Sequence, residues 1–151
     1  GPLHGSCEYK VMACQNREAA LRITPGQGDA GQVSNGHNIE FRPCDGTASP
    51  YLALGAIVRA GLKGIRADQS DLHAIAEDPA DMSQDARAEK GIVPLPGTLE
   101  GALAALEADD VARSWFSDDM ISTYLALKRW EVEQAAAVPE ADLFARYRTT
   151  Y

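Results

Sequence analysis

Four side chains carry the chemistry open to this sequence: Arg17 and Arg22, five residues apart, and Glu40 and Arg42, separated by a single residue. Arginine offers a permanent charge and a planar fork that matches phosphate or carboxylate oxygens in pairs, so arginines on two adjacent strands can enclose an anion. A carboxylate two residues from one of them shares its strand face, and can hold Mg²⁺ or Mn²⁺ while the arginine holds the anionic group. The same residues also allow a purely architectural reading, with Glu40 ion-paired to Arg42 or Arg22 across the sheet. Spacing alone leaves both open.

The elements that must position these groups are legible around them. Asn38 to Arg42 reads as a short strand, Asp45-Gly46 as a turn, and Ser49-Pro50 as the start of a helix with Ser49 as N-cap and Pro50 in the first turn. That helix, Tyr51 to Leu62, is apolar nearly all round and is expected in the interior, closed near Gly64. Upstream, Tyr9 to Ile23 reads as two short strands joined by the polar break Gln15-Asn16-Arg17-Glu18, and Pro25 ends them. Gly26 to Gly36 is a glycine-rich polar loop. It lacks a Lys-Ser/Thr ending and a following helix, so it reads as a connector and not a phosphate cradle.

From Arg66 to Pro96 the chain is acidic, polar and proline-punctuated, which reads as a long surface excursion with at most a helical turn. His73 lies there without a second metal-ligating residue at suitable spacing and reads as an ordinary histidine. Thr98 caps a helix from Leu99 to Glu107, Asp109-Asp110 begins a short one, and Asp118-Asp119 caps the longest, from Met120 to about Ala137. Its stripe of Ile121, Tyr124, Leu125, Leu127, the Lys128 stem and Val132 is expected to pack inward. A last helix from Glu140 to about Arg148 carries Leu143, Phe144 and Tyr147, and the aromatic residues of these helices read as packing. The fold class is therefore α+β: a few antiparallel strands at about 9–23 and 37–43, a buried helix, then a C-terminal helical layer.

Composition narrows the function classes. The 151 residues suit one ordinary domain, and 45% hydrophobic with 24% charged residues is globular composition. A formal charge of −8, with 22 acids against 14 bases, argues against a nucleic-acid surface. Cys7, Cys14 and Cys44 have no Cys-x-x-Cys spacing and suggest neither a disulfide framework nor zinc, consistent with a cytoplasmic protein. No apolar run reaches the roughly 20 residues of a membrane span. Residues 1–6, Gly-Pro-Leu-His-Gly-Ser, read as a tag remnant, leaving 7–151 as the natural segment.

Several of these stretches, in this order, resemble the late part of the glutamine synthetase catalytic domain. They are Asn16-Arg17 with Arg22, Glu40-Phe41-Arg42, Asp45, Ser49-Pro50-Tyr51-Leu52, Gly61-Leu62-Lys63-Gly64-Ile65, Leu95-Pro96-Gly97-Thr98 and Tyr124 to Glu131. The resemblance implies that Arg17 and Arg22 contact the nucleotide phosphates and the transferred phosphoryl group. It implies that Glu40 is a Mg²⁺ or Mn²⁺ ligand and that Arg42 holds the glutamate substrate. The implied reaction is an ATP-dependent ligation of glutamate with ammonia or another amine through a γ-glutamyl phosphate. The implied parent is a homo-oligomer with active sites between neighbouring subunits, so this piece would supply part of one wall and be inactive alone. Two positions depart from the family pattern: Asn38 stands where a phosphate-binding arginine is common, and Ser49 replaces Asn before Pro-Tyr. The first departure suits a relative acting on another amine, or a non-catalytic module used for binding or assembly, while Ser49 still caps a helix.

Overall fold

The computed structural model describes residues 7–26, 36–69 and 74–150. The six opening residues, most of the glycine-rich loop and His73 lie outside them. In chain order the elements are β1 (Tyr9–Cys14), β2 (Ala19–Thr24), β3 (Asn38–Phe41), α1 (Pro50–Arg66), a 3-10 turn (Pro79–Asp81), α2 (Gln84–Glu89), α3 (Leu99–Ala108), α4 (Asp110–Arg113), α5 (Asp118–Ala136) and α6 (Glu140–Thr150). They fall into two compact units, residues 1–45 with 68–95, and residues 46–67 with 96–151. The class is α+β, as expected.

The first unit is built on a sheet of order β1-β2-β3. β2 and β3 are antiparallel, with Leu21 opposite Phe41, Arg22 opposite Glu40, and Ile23 opposite Ile39. β1 and β2 correct the antiparallel expectation: they pair in parallel, Met12 beside Leu21 and Cys14 beside Ile23, with a register irregularity between Tyr9 and Met12. Parallel neighbours usually need a crossover of a dozen residues or more. Here the link is residues 15–18 alone. Gln15 adopts φ 55°, and the Asn16 side chain accepts the Glu18 N–H at 2.9 Å, so the polar break folds sharply back on itself.

The segment read as a surface excursion returns to the sheet. The Ile75 N–H donates to the Met12 carbonyl at 2.9 Å, Lys10 donates to Val93 at 2.8 Å, and Leu95 donates to Glu8 at 2.8 Å, so the outer edge of β1 is covered. Arg87 of α2 ties the same segment together. Its Nη1 donates to the carbonyls of Pro79 and Met82 at 2.8 and 2.7 Å, and its guanidinium lies 5.1 Å from the Tyr9 ring centroid. Buried Pro79 and Ile92, with Ala13, Ala19 and Ala20, form the interior of this unit.

In the second unit, α1 starts at Pro50 as the sequence indicates but runs through Gly64 to Arg66. Ser49 is its N-cap by backbone position, without a side-chain cap bond. The interior position expected for α1 is corrected: none of its residues is buried in this chain, and Tyr51, Leu54, Val58, Leu62 and Ile65 are exposed. α3 is capped by Thr98, whose hydroxyl accepts the Gly101 N–H at 3.1 Å. α5 is capped by Ser117 and not by Asp118-Asp119, which sit in its first turn, where carboxylates complement the helix dipole. Leu103, Ile121 and Leu125 make the core, with Leu106, Phe116 and Tyr124 packed against it. Leu127, Trp130 and Phe144 are exposed, so the inward stripe and the aromatic packing hold only in part. No helix among the described residues is long and apolar enough to cross a membrane.

Candidate functional site

The period of two along a strand puts Arg22 and Thr24 on one face of β2, and the antiparallel register sets Glu40 directly across from Arg22. Arg42 follows two residues after Glu40, and its N–H donates to the Ala20 carbonyl at 2.9 Å, carrying the ladder one step past β3. Four side chains therefore converge on that face. Arg22 Nη1 lies 3.1 Å from both Oε1 and Oε2 of Glu40. Thr24 Oγ1 donates to Oε1 at 3.4 Å, and Arg42 Nη1 donates to Oε2 at 3.5 Å.

The electrostatics follow from this geometry. Hydrogen bonding from Arg22 holds the Glu40 carboxyl below the usual carboxylate range, opposed by partial burial and reinforced by the Arg22 charge and by Arg42. The guanidinium groups of Arg22 and Arg42 both pair with the single carboxylate of Glu40. Arg22 Nε is buried and donates to no partner in the structure. A shielded guanidinium N–H without an acceptor favours an oxyanion as ligand.

A divalent cation is less well served. Mg²⁺ or Mn²⁺ wants an octahedral shell of oxygens, and among the described residues no group of three or more His, Cys, Asp or Glu is placed to hold a metal. Glu40 supplies one carboxylate, and both its oxygens already accept hydrogen bonds from Arg22. These residues alone do not make a divalent-cation site.

Of the four residues singled out in the sequence, the structure brings Arg22, Glu40 and Arg42 together. Arg17 is exposed in the turn before β2 and is not among the donors to Glu40. The fourth member of the cluster is Thr24, which sequence reasoning missed. The available signal was its place two residues beyond Arg22 on the same strand.

The sheet thus presents two arginines and one acid from neighbouring strands on a common face. Comparison with known proteins gives the family. Residues 5–147 match the family model for the glutamine synthetase catalytic domain. The chain is 34% identical over 143 residues to gamma-glutamylpolyamine synthetase GlnA3 of Streptomyces coelicolor, an alignment covering 95% of this chain and 30% of that protein. It is 36% identical over 133 residues to the glutamine synthetase of Halobacterium salinarum, covering 87% and 28% respectively. A crystal structure of a novel glutamine synthase homolog superposes with a TM-score of 0.76 at 34% identity, over 99% of this chain and 32% of that one. The chain belongs to the glutamine synthetase family. It spans about 30% of the length of these curated relatives.

Proposed function

We propose that this chain is part of an ATP-dependent carboxylate–amine ligase, and that the β2–β3 face forms the oxyanion-binding wall of its active site. The observation that carries this reading is the convergence of Arg22, Glu40 and Arg42 on one sheet face in a chain of this family. Arg17 and Arg22 hold nucleotide phosphates and the phosphoryl group in transfer, and Arg42 holds the carboxylate of glutamate. Guanidiniums fixed on a rigid sheet stabilise oxygens that gain charge as the phosphoryl group moves. Glu40 contributes one ligand to Mg²⁺ or Mn²⁺, the others coming from outside this chain. Bound ATP supplies the phosphoryl group that makes a side-chain carboxylate open to attack by an amine.

The acceptor is ammonia or another amine, and a relative named for γ-glutamylpolyamine synthesis supports the wider class. The parent protein is a cytoplasmic homo-oligomer, and this chain alone does not turn over, because it carries one wall of the site. In the full-length parent, Glu40→Ala is expected to abolish Mg²⁺-dependent phosphate release. Unchanged turnover would overturn the metal-ligand role.

A second reading, a non-catalytic module for binding or assembly, draws support from the Glu40 carboxylate being engaged by arginine and from Asn38 at a position where the family often has arginine. Calorimetry with ATP and Mn²⁺ separates the two. A ligase wall retains weak nucleotide binding that Arg22→Gln removes, and an assembly module shows neither.

A further inference from the structure

The ion pair at the centre of this face has a consequence for how the face takes its ligand. Arg22 reaches Glu40 through one nitrogen, Nη1, at 3.1 Å from each carboxylate oxygen, while its buried Nε has no partner. That is not the parallel two-nitrogen fork by which arginine binds oxyanions most strongly. A phosphate-like group meeting Nε and an Nη nitrogen together would make the fork and give the orphaned N–H its acceptor. Glu40 already occupies Nη1, but its side chain is 37% exposed against 20% for Arg22, so it can withdraw into water while the guanidinium stays. With Glu40 withdrawn, Arg22 and Arg42 both lose the carboxylate they share.

We propose that Glu40 is a resident counter-anion for Arg22 and Arg42, which an incoming phosphate-class oxyanion displaces in order to bind. The proposal rests on the oxyanion reading of the β2–β3 face and adds a competitor built into it. Its consequence runs against the ordinary expectation for a site residue: removing Glu40 strengthens ligand binding in the absence of metal.

The test is a titration of the 151-residue chain with inorganic phosphate in metal-free buffer, followed by amide chemical shifts of β2 and β3. Circular dichroism checks the fold of each variant. Glu40→Gln is expected to bind phosphate at least fivefold more tightly than wild type. Glu40→Asp, which keeps the charge but shortens the reach to Arg22, is expected to bind at least twofold more tightly, and it stands in if Glu40→Gln fails to fold. Glu77→Gln removes the same charge from an exposed pair with Lys90 and is expected to match wild type within twofold. Equal tightening by Glu40→Gln and Glu77→Gln would reduce the effect to net charge and overturn the proposal. If phosphate binds, Arg22→Gln abolishes it and the Glu40 variants match wild type, the oxyanion site stands and the counter-anion role falls. If no variant binds phosphate, the oxyanion reading fails and takes the proposal with it.

Discussion

Arg22 and Glu40 face each other across the β2–β3 ladder, and one guanidinium nitrogen of Arg22 lies 3.1 Å from both carboxylate oxygens. Because that contact holds the Glu40 pKa below its unfolded value, near about 4.3 for glutamate, the sign of its pH dependence is fixed. Its contribution to stability is fully present above the unfolded pKa and is lost as pH falls through the folded one. Denaturant midpoints measured from pH 7 down to pH 3 are expected to fall less steeply for Glu40→Gln than for wild type. Glu77, lowered by its hydrogen bond to Lys90, acts in the same direction, so the comparison is best made in a Glu77→Gln background.

In the full-length parent, Arg22 and Arg42 are expected to fail differently. On the proposed role of Arg22 as a donor to the phosphoryl group, Arg22→Gln should lower kcat by about 10²–10³-fold. On the proposed role of Arg42 in holding glutamate, Arg42→Gln should raise the KM for glutamate by about tenfold with a smaller change in kcat. Steady-state kinetics with glutamate varied decides, and equal effects on both parameters by both variants would contradict the division of roles.

Leu103 is 5% exposed in the α3–α5 core, whereas Leu127 on the same α5 that supplies Ile121 and Leu125 is 50% exposed. Leu103→Ala should cost about 2–4 kcal/mol and Leu127→Ala about 0.5 kcal/mol or less. Urea unfolding of the two variants tests the assignment of inside and outside.

Two of the predicted caps, Thr98 and Ser49, differ in the same checkable way. Thr98 accepts the Gly101 N–H at 3.1 Å, and Ser49 makes no side-chain cap bond. Thr98→Ala should destabilise by about 1 kcal/mol and Ser49→Ala by clearly less. Comparable losses in thermal unfolding would show that Ser49 caps α1 in solution.

Exposed Tyr51, Leu54, Val58, Leu62 and Ile65 recur at helical spacing along α1 and form an apolar stripe open to water. The 151-residue chain is therefore expected to bind an apolar dye and to self-associate as concentration rises. Leu54→Lys with Val58→Lys should suppress both. Light scattering that shows a monomer with no dye binding in wild type would contradict this.

The strand carrying Glu40 and Arg42, the helix starts at Pro50 and Leu99, and the α+β class were all legible in the sequence, because strand alternation, Pro in a first helical turn and a Thr cap are local signals. The 3-10 turn at Pro79–Asp81 and α2 at Gln84–Glu89 were not, since elements that short complete no apolar period. Nor was the parallel pairing of β1 with β2, which depends on the fold-back at Gln15 and Asn16 and on backbone partners at Ile75 and Val93 far along the chain.

By itself the sequence determined which groups are available: the permanent cations Arg17, Arg22 and Arg42 and the acid Glu40, with Glu40 and Arg42 two residues apart on one strand. Only the tertiary structure decided that Arg22, from a different strand, stands opposite Glu40, and that Thr24 joins them. Register between strands is a long-range property, and a shift by one residue would send these side chains to opposite faces. The same dependence explains α1. Its apolar composition is local, but burial requires a surface to pack against, and this chain leaves Tyr51 and Ile65 in water.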